Sequence, residues 1–331
     1  QGLVALVEQA QRPDAAGQRR RRAGRGLSVP VITADGASGP VFHGGAPMWQ
    51  AGRFTLDLAR PLVMGIVNVT PDSFSDGGRY TEADAARRHC EALLEQGAQI
   101  LDIGGEPTRL GAVAPTADEE CARVLPAVRH AVTLGVPVSV DTSEPLVMRA
   151  ALDAGADIVN DVRSLRRPGA LALLAAHGSA GVCLMHMRGE PGGMDTQTDY
   201  ADVVAEVRDW LATRLAEVVA AGVAPRRVVL DPGIGFAKTR EQDLELLRRQ
   251  AELLAAGRPL LAGWSRKRTV GTVTGRPVGE RLAGSVAAAL LAVQHGARIV
   301  RVHDVAATVD ALRVWQAVQP ASAGNLHASP S

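Results

Sequence analysis

The chain has 331 residues, 36 of them basic and 35 acidic, for a formal charge of +1. With 46% apolar and 21% charged residues it has the make-up of a globular chain with a sizeable core, which excludes wholesale disorder. The near-neutral charge gives no ground for expecting nucleic acid, and only 3% aromatic residues argue against base or sugar stacking.

Residues 1–46 read as a disordered basic extension. Arg12, Arg19, Arg20, Arg21, Arg22 and Arg25 against Glu8 and Asp14 give the first 26 residues a charge of +4 and leave the remainder at −3. No apolar stretch in this segment resembles a secretory signal. No apolar run anywhere approaches the ~18 residues of a membrane span; the longest is Val286–Val293. Cys90, Cys121 and Cys183 are widely spaced, as suits a reducing cytoplasm, and each reads as a small buried hydrophobe. Met48–Asp57 alternates around the turn-like Ala51-Gly52 and predicts a β-hairpin.

From Pro61 onward one pattern repeats eight times: a short apolar run, a polar loop, then a stretch of helical period. The runs are Leu62–Val67, Ile100–Ile103, Val136–Val140, Ile158–Val159, Gly181–Met185, Val228–Leu230, Leu260–Ala262 and Ile299–Val302. The helical stretches are 82–96, 117–134, 144–154, 169–176, 200–221, 240–256, 279–295 and 306–318. Eight βα units over residues 47–320 predict an α/β fold, a (β/α)8 TIM barrel, with a doubly wound sheet as the alternative; residues 321–331 read as a flexible tail.

In such a barrel the site is built at the strand C-termini. There stand Asn68, Asp102, Asp141, Asn160-Asp161, His186, Asp231, Ser265-Arg266-Lys267, Arg301 and His303-Asp304. Each alone has an equally good reading as a helix cap, but polar groups at seven of eight strand ends exceed what a core needs. Carboxylates beside asparagines suit a heterocycle with N–H donors. Arg109, Arg266, Lys267, Arg301 and His303 suit a phosphate or pyrophosphate. Asn68 near acidic residues suits Mg²⁺ shared with substrate phosphates. The connections 67–78 and 186–199 are long for βα loops and read as functional loops or surface excursions. The chain has no phosphate-loop or dinucleotide signature, no zinc-ligand spacing and no nucleophile elbow.

Eight strings are more specific: MGIVNVTPDSFSDGG (64–78), LDIGGEPTRLGA (101–112), SVDTSEP (139–145), IVNDVRSL (158–165), CLMHMRGEP (183–191), LDPGIGF with KT (230–239), GWSRK (263–267) and RIVRVHD (298–304). In order and spacing the chain resembles the bacterial, single-function dihydropteroate synthases of the folate pathway, targets of sulfonamides. The resemblance implies a transferase that joins 6-hydroxymethyl-7,8-dihydropterin pyrophosphate to p-aminobenzoate, with Mg²⁺ as cofactor. It implies pterin held by Asp141, Asn160, Met185, Asp231 and Lys267. It places pyrophosphate on Asn68, Arg301 and His303, the metal on Asn68, and p-aminobenzoate near Phe74, Thr108, Arg109, Phe236 and Ser265. Asp141, Lys267, Arg301 and Asn68 are the residues it implies for catalysis. It also implies a homodimer through outer helices such as 279–295, and no nucleic-acid or membrane partner.

The strings depart from the family pattern at Pro107, Leu110, Ala237, Trp264 and Arg268, on the side where the family binds p-aminobenzoate. An altered p-aminobenzoate pocket with weaker sulfonamide binding is the expectation. Two other readings remain at this point: a pterin-binding paralogue that has lost turnover, and another pterin-binding barrel such as a methyltetrahydrofolate methyltransferase.

Overall fold

A computed structural model of the chain describes residues 47–69, 82–106, 114–190 and 196–319. The predicted basic extension and C-terminal tail, and Phe74, Pro107, Thr108, Arg109 and Leu110, lie outside the described residues.

The eight apolar runs become eight parallel strands that close on themselves: β3 (Leu62–Asn68), β4 (Ile100–Gly104), β5 (Val138–Asp141), β6 (Ile158–Asp161), β7 (Gly181–Met185), β8 (Val228–Asp231), β9 (Leu260–Ala262) and β10 (Ala297–Val302), with β10 pairing both β9 and β3. Their near-continuous apolar character is what a parallel sheet covered by helices requires. The doubly wound alternative is excluded by this closure.

Helices follow the strands: α1 (Glu82–Glu95), α2 (Ala117–Thr133), α3 (Pro145–Asp153), α4 (Ala170–His177), α5 (Val203–Ala220), α6 (Arg240–Arg248), α7 (Arg268–Thr274), α8 (Leu282–Gln294) and α9 (Val305–Ala317). Their starts are chemically marked. Thr116 with Glu119, and Thr239 with Gln242, form reciprocal capping boxes, and Asp202 caps α5. No helix among the described residues is long and apolar enough to cross a membrane.

Two expectations need correction. The predicted helix 240–256 breaks after Arg248 into a 3-10 segment, Gln250–Ala256. Gln250 is turned inward there, its amide donating to the carbonyl of Ala292 at 2.8 Å near the end of α8. The predicted helix 279–295 starts only at Leu282, and the short α7 before it was not anticipated. Its sequence RTVGTVT is rich in β-branched residues and glycine and has poor helix propensity. Tertiary contacts override this: Thr269 bonds Asp243 on α6, and Arg281 donates to the carbonyls of Arg266 at 3.0 Å and Arg276 at 3.0 Å.

The hairpin β1 (Met48–Ala51) and β2 (Phe54–Asp57) lies against the N-terminal end of the barrel. Trp49, Ala51 and Leu58 pack with Leu62, Met64, Ile100, Ile158, Cys183, Val229, Leu261 and Ile299. The indole of Trp49 donates to the carbonyl of Arg227 at 2.8 Å. β7 begins with glycine because a Cβ on Gly181 would stand 3.1 Å from the Cα of Ala51. Asp157 closes this end, its two oxygens accepting from Arg53 and from the backbone of Arg53 and Val138.

Candidate active site at the barrel mouth

Ile100, Ile158, Val229 and Ile299 come from alternate strands β4, β6, β8 and β10 and belong to the apolar cluster under the barrel. Filling a barrel in layers from alternate strands is the rule of this fold. Side chains repeat their direction every second residue along a strand. Two residues further on, the same four strands carry Asp102, Asn160, Asp231 and Arg301. The oily interior therefore ends abruptly in a layer of two acids, an amide and a guanidinium.

Arg301 is the centre of this layer. Its Nε donates to Asp102 Oδ2 at 2.5 Å and its Nη2 to Asp141 Oδ2 at 2.5 Å. Asn160 Nδ2 donates to the same Asp102 oxygen at 3.2 Å. Two carboxylates thus share one cation. Burial pushes Asp141 upward, to about 7, against the opposing pull of Arg301. Asp231 is buried, and its Oδ1 accepts from the backbone of Gly233 at 2.7 Å. Burial also raises Asp231, while Lys267 opposes the rise. Lys267 is pushed down to about 8 by burial, with Asp231 pulling the other way. Its ammonium lies 4.2 Å from the centroid of the Phe236 ring, which packs with Met185, Met187, Val162 and Ala237.

On the other side of the mouth, Ser265 Oγ accepts from the His303 backbone at 3.1 Å and lies 3.0 Å from His303 Nδ1. Burial, seconded by Arg301 and Arg266, drives His303 down to about 3, so its imidazole is neutral at ordinary pH. Asn68 ends β3 with its side chain exposed.

Most of the predicted site residues that the structure describes converge: Asp141, Asn160, Asp231, Lys267, Met185, Phe236, Arg301, Ser265 and His303. Two details differ from expectation. Arg266 is engaged by Asp304, at 3.1 and 2.6 Å, instead of standing ready for an anion. Trp264 is 2% exposed and packs in the core between barrel and helices, so its bulk does not line the mouth.

Three residues escaped assignment from sequence. Asp102 was noted only as a polar strand end. Arg163 is buried and donates to Glu106 at 3.1 and 3.0 Å and to Glu190 at 2.6 Å, the last described residues before 107–113 and 191–195. Lys238, 2% exposed, donates to the carbonyls of Gly233 and Phe236 at 2.9 Å each and lies 3.1 Å from His186 Nδ1. It fastens the turn that presents Asp231 and Phe236. Gly233 in that turn has φ +69°, and a Cβ there would lie 1.9 Å from the His186 carbonyl oxygen. The partners of Arg163 and the His186 contact of Lys238 are long-range, and a sequence does not display these.

No group of three or more His, Cys, Asp or Glu side chains placed to hold a metal occurs among the described residues. Asn68, exposed at the end of β3, offers an amide oxygen that fits a magnesium ion held chiefly by substrate phosphate and water.

The chain is similar to proteins of one known family. A family model described as pterin binding enzyme matches residues 64–303. A dihydropteroate synthase from Neisseria meningitidis serogroup B is 52% identical over 277 residues, 82% of this chain and 97% of the relative. A Xanthomonas albilineans dihydropteroate synthase solved with 4-aminobenzoic acid is 51% identical, with a TM-score of 0.80 over 84% of this chain and 100% of that one. A structure of the Xanthomonas albilineans enzyme with 7,8-dihydropteroate is 51% identical, with a TM-score of 0.74 over 81% and 97%.

Proposed function

The chain belongs to the pterin-binding enzymes and, among them, to the dihydropteroate synthases, and on that premise we propose how its barrel mouth works. The substrates are 6-hydroxymethyl-7,8-dihydropterin pyrophosphate and p-aminobenzoate; the products are 7,8-dihydropteroate and pyrophosphate. The observation that carries the reading is the polar layer of buried Asp102, Asn160 and Asp231 with partly buried Arg301, directly above Ile100, Ile158, Val229 and Ile299.

Asp231 and Asn160 present a carboxylate and an amide to the N–H edge of the pterin, and Lys267 donates beside them. Met185 and Phe236 supply apolar contact to its ring. The arylamine nitrogen bonds to the pterin methylene carbon while the C–O bond breaks. Pyrophosphate departs with the electron pair, and the amine releases a proton. Asp141 stands where a carboxylate offsets positive charge growing on the pterin. Arg301 supplies fixed charge and His303 a neutral N–H donor for the departing pyrophosphate. Asn68 is the protein ligand for a magnesium ion, which when bound neutralises charge on the leaving group. No protein nucleophile is needed; the remaining work is to hold the amine in line, for which Ser265 and Phe236, with Phe74, Thr108 and Arg109 from the loops, are the assigned groups.

The reading includes a cytoplasmic enzyme and a homodimer. Leu291 on α8 and Val314 on α9 are exposed apolar side chains on the outer helices.

The test is release of pyrophosphate on mixing both substrates with the purified chain. Release that depends on p-aminobenzoate supports the reading. Pterin binding without release would replace it with a paralogue that has lost turnover.

A further inference from the structure

Buried carboxylates along the barrel strands are satisfied very differently, as Asp157, Asp161 and Asp102 show. Asp157, before β6, accepts from Arg53 and from two backbone N–H groups, and both its oxygens are used. Asp161, at the end of β6, accepts from Ser143 and from the backbone of Arg163 and Leu165, again with both oxygens. This holds the left-handed φ values of Ser164 (55°) and Leu165 (58°). These two carboxylates stabilise the fold. Asp102 is equally buried, at 0% exposure, but only Oδ2 is used; Oδ1 has no hydrogen-bond partner among the described residues. A buried carboxylate that served the fold alone would have its second oxygen satisfied.

What Oδ2 holds is informative. Arg301 comes from β10, two strands away on one side of β4, and Asn160 from β6, two strands away on the other. A carboxylate only accepts, so the amide nitrogen of Asn160 must face Asp102 and its amide oxygen must turn away. The guanidinium is likewise fixed, with Nε on Asp102 and Nη2 on Asp141.

We propose that Asp102 is a positioning residue that orients both arms of the site at once, aiming the amide oxygen of Asn160 at a ring N–H and setting the plane of the Arg301 fork toward the pyrophosphate. The proposal deepens the function given above and rests on it. Asp102 itself accepts no proton and makes no bond in the reaction. It ensures that the ring presenting N–H at Asn160 is preferred over one presenting an acceptor there.

Asp102→Asn tests this. The new amide has nearly the same shape, loses the negative charge, and offers a donor to Asn160, so the Asn160 amide is free to turn over. The probes are 6-hydroxymethyl-7,8-dihydropterin without phosphate, for the Asn160 arm, and inorganic pyrophosphate, for the Arg301 arm. The expected result is a loss of about tenfold or more in affinity for each probe, with the KM for p-aminobenzoate within about twofold and Tm unchanged or raised. Asp161→Asn, at a carboxylate with both oxygens used, is expected to lower Tm without a selective loss of either probe. In a double-variant cycle, Asp102→Asn and Asn160→Ala should be less than additive for dihydropterin. If Asp102→Asn does not fold, Asp102→Ser is expected to show the same selective losses.

Wild-type affinities retained in the folded Asp102 variant overturn the positioning role alone. So does a uniform loss of pterin, pyrophosphate and p-aminobenzoate binding in step with Tm. A wild-type chain that binds neither probe overturns the functional reading as well.

Discussion

The two ends of the barrel are built by opposite rules. At the hairpin end the buried carboxylate is saturated: Asp157 accepts from Arg53 and backbone, and Trp49 packs under the barrel while its one donor is used. At the mouth two carboxylates share one guanidinium, one carboxylate oxygen has no partner among the described residues, and a lysine is held in surroundings that disfavour its charge. One end has been made stable. The other keeps polar groups desolvated and under-satisfied, the condition in which a ligand with matching donors and a dianion gains most.

Substitutions that separate stability from binding break or sharpen this contrast. The largest effect is expected at the closed end. Trp49→Ala should cost about 3–5 kcal/mol of stability, read by denaturant unfolding, with kcat per folded molecule unchanged. Next comes one substitution made at both ends. Asp231→Asn should weaken dihydropterin binding by about 100-fold with little change in Tm. Asp157→Asn should cost roughly 1–3 kcal/mol of stability and leave dihydropterin affinity intact. Calorimetry on the two variants decides; if their profiles match, the division of labour is wrong.

Acidity gives a smaller, graded effect. Asp141 ionises above its ordinary range and Lys267 loses its proton at about 8. Dihydropterin affinity should therefore rise as pH climbs toward neutrality and fall as it passes 8, and titration calorimetry across pH 5–10 (about that span) reads both limbs. Stability follows the same groups. The folded chain holds the Asp141 proton between 3.8 and about 7, so that contribution is lost as pH rises through this window. For Lys267 the unfolded chain holds more protons between about 8 and 10.5, so stability rises with pH there. Asp141→Asn and Lys267→Met should each flatten their own limb only.

The smallest effect concerns the rim. Restoring the family pattern with Leu110→Pro and Arg268→Ser should lower the p-aminobenzoate KM and tighten sulfonamide inhibition by a few fold, roughly 1 kcal/mol or less. Identical inhibition curves for the two proteins would remove the altered-pocket idea.

The barrel is legible because its strands are apolar on both faces and most are followed by stretches of helical period, so the eightfold alternation survives in one dimension. The site was legible where polar residues interrupt an apolar strand at its end, as at Asp141, Asn160, Asp231 and Arg301. A sharper signal lay unused: in β4, β6, β8 and β10 an inward aliphatic residue is followed two positions later by the polar group. Applied to β4, that period singles out Asp102 together with the others. Arg163 and Lys238 have no such pattern, since their roles depend on Glu106, Glu190 and His186, brought near only by folding. Local propensity opposes α7, and the Arg266–Asp304 pair joins residues 38 positions apart, which sequence order does not display.

The tryptophan under the barrel has a kinetic consequence. With Trp49 and its hairpin packed against the apolar layer under the barrel, ligands meet the polar layer from the mouth, and a one-sided approach imposes a queue. On the proposed assignment the pterin lies deepest, against Asn160 and Asp231, and p-aminobenzoate lies nearer the rim. The arylamine arriving first would stand in the doorway. Productive turnover therefore begins with the pterin, and saturating p-aminobenzoate should slow pterin entry: order of addition is written into the floor of the molecule.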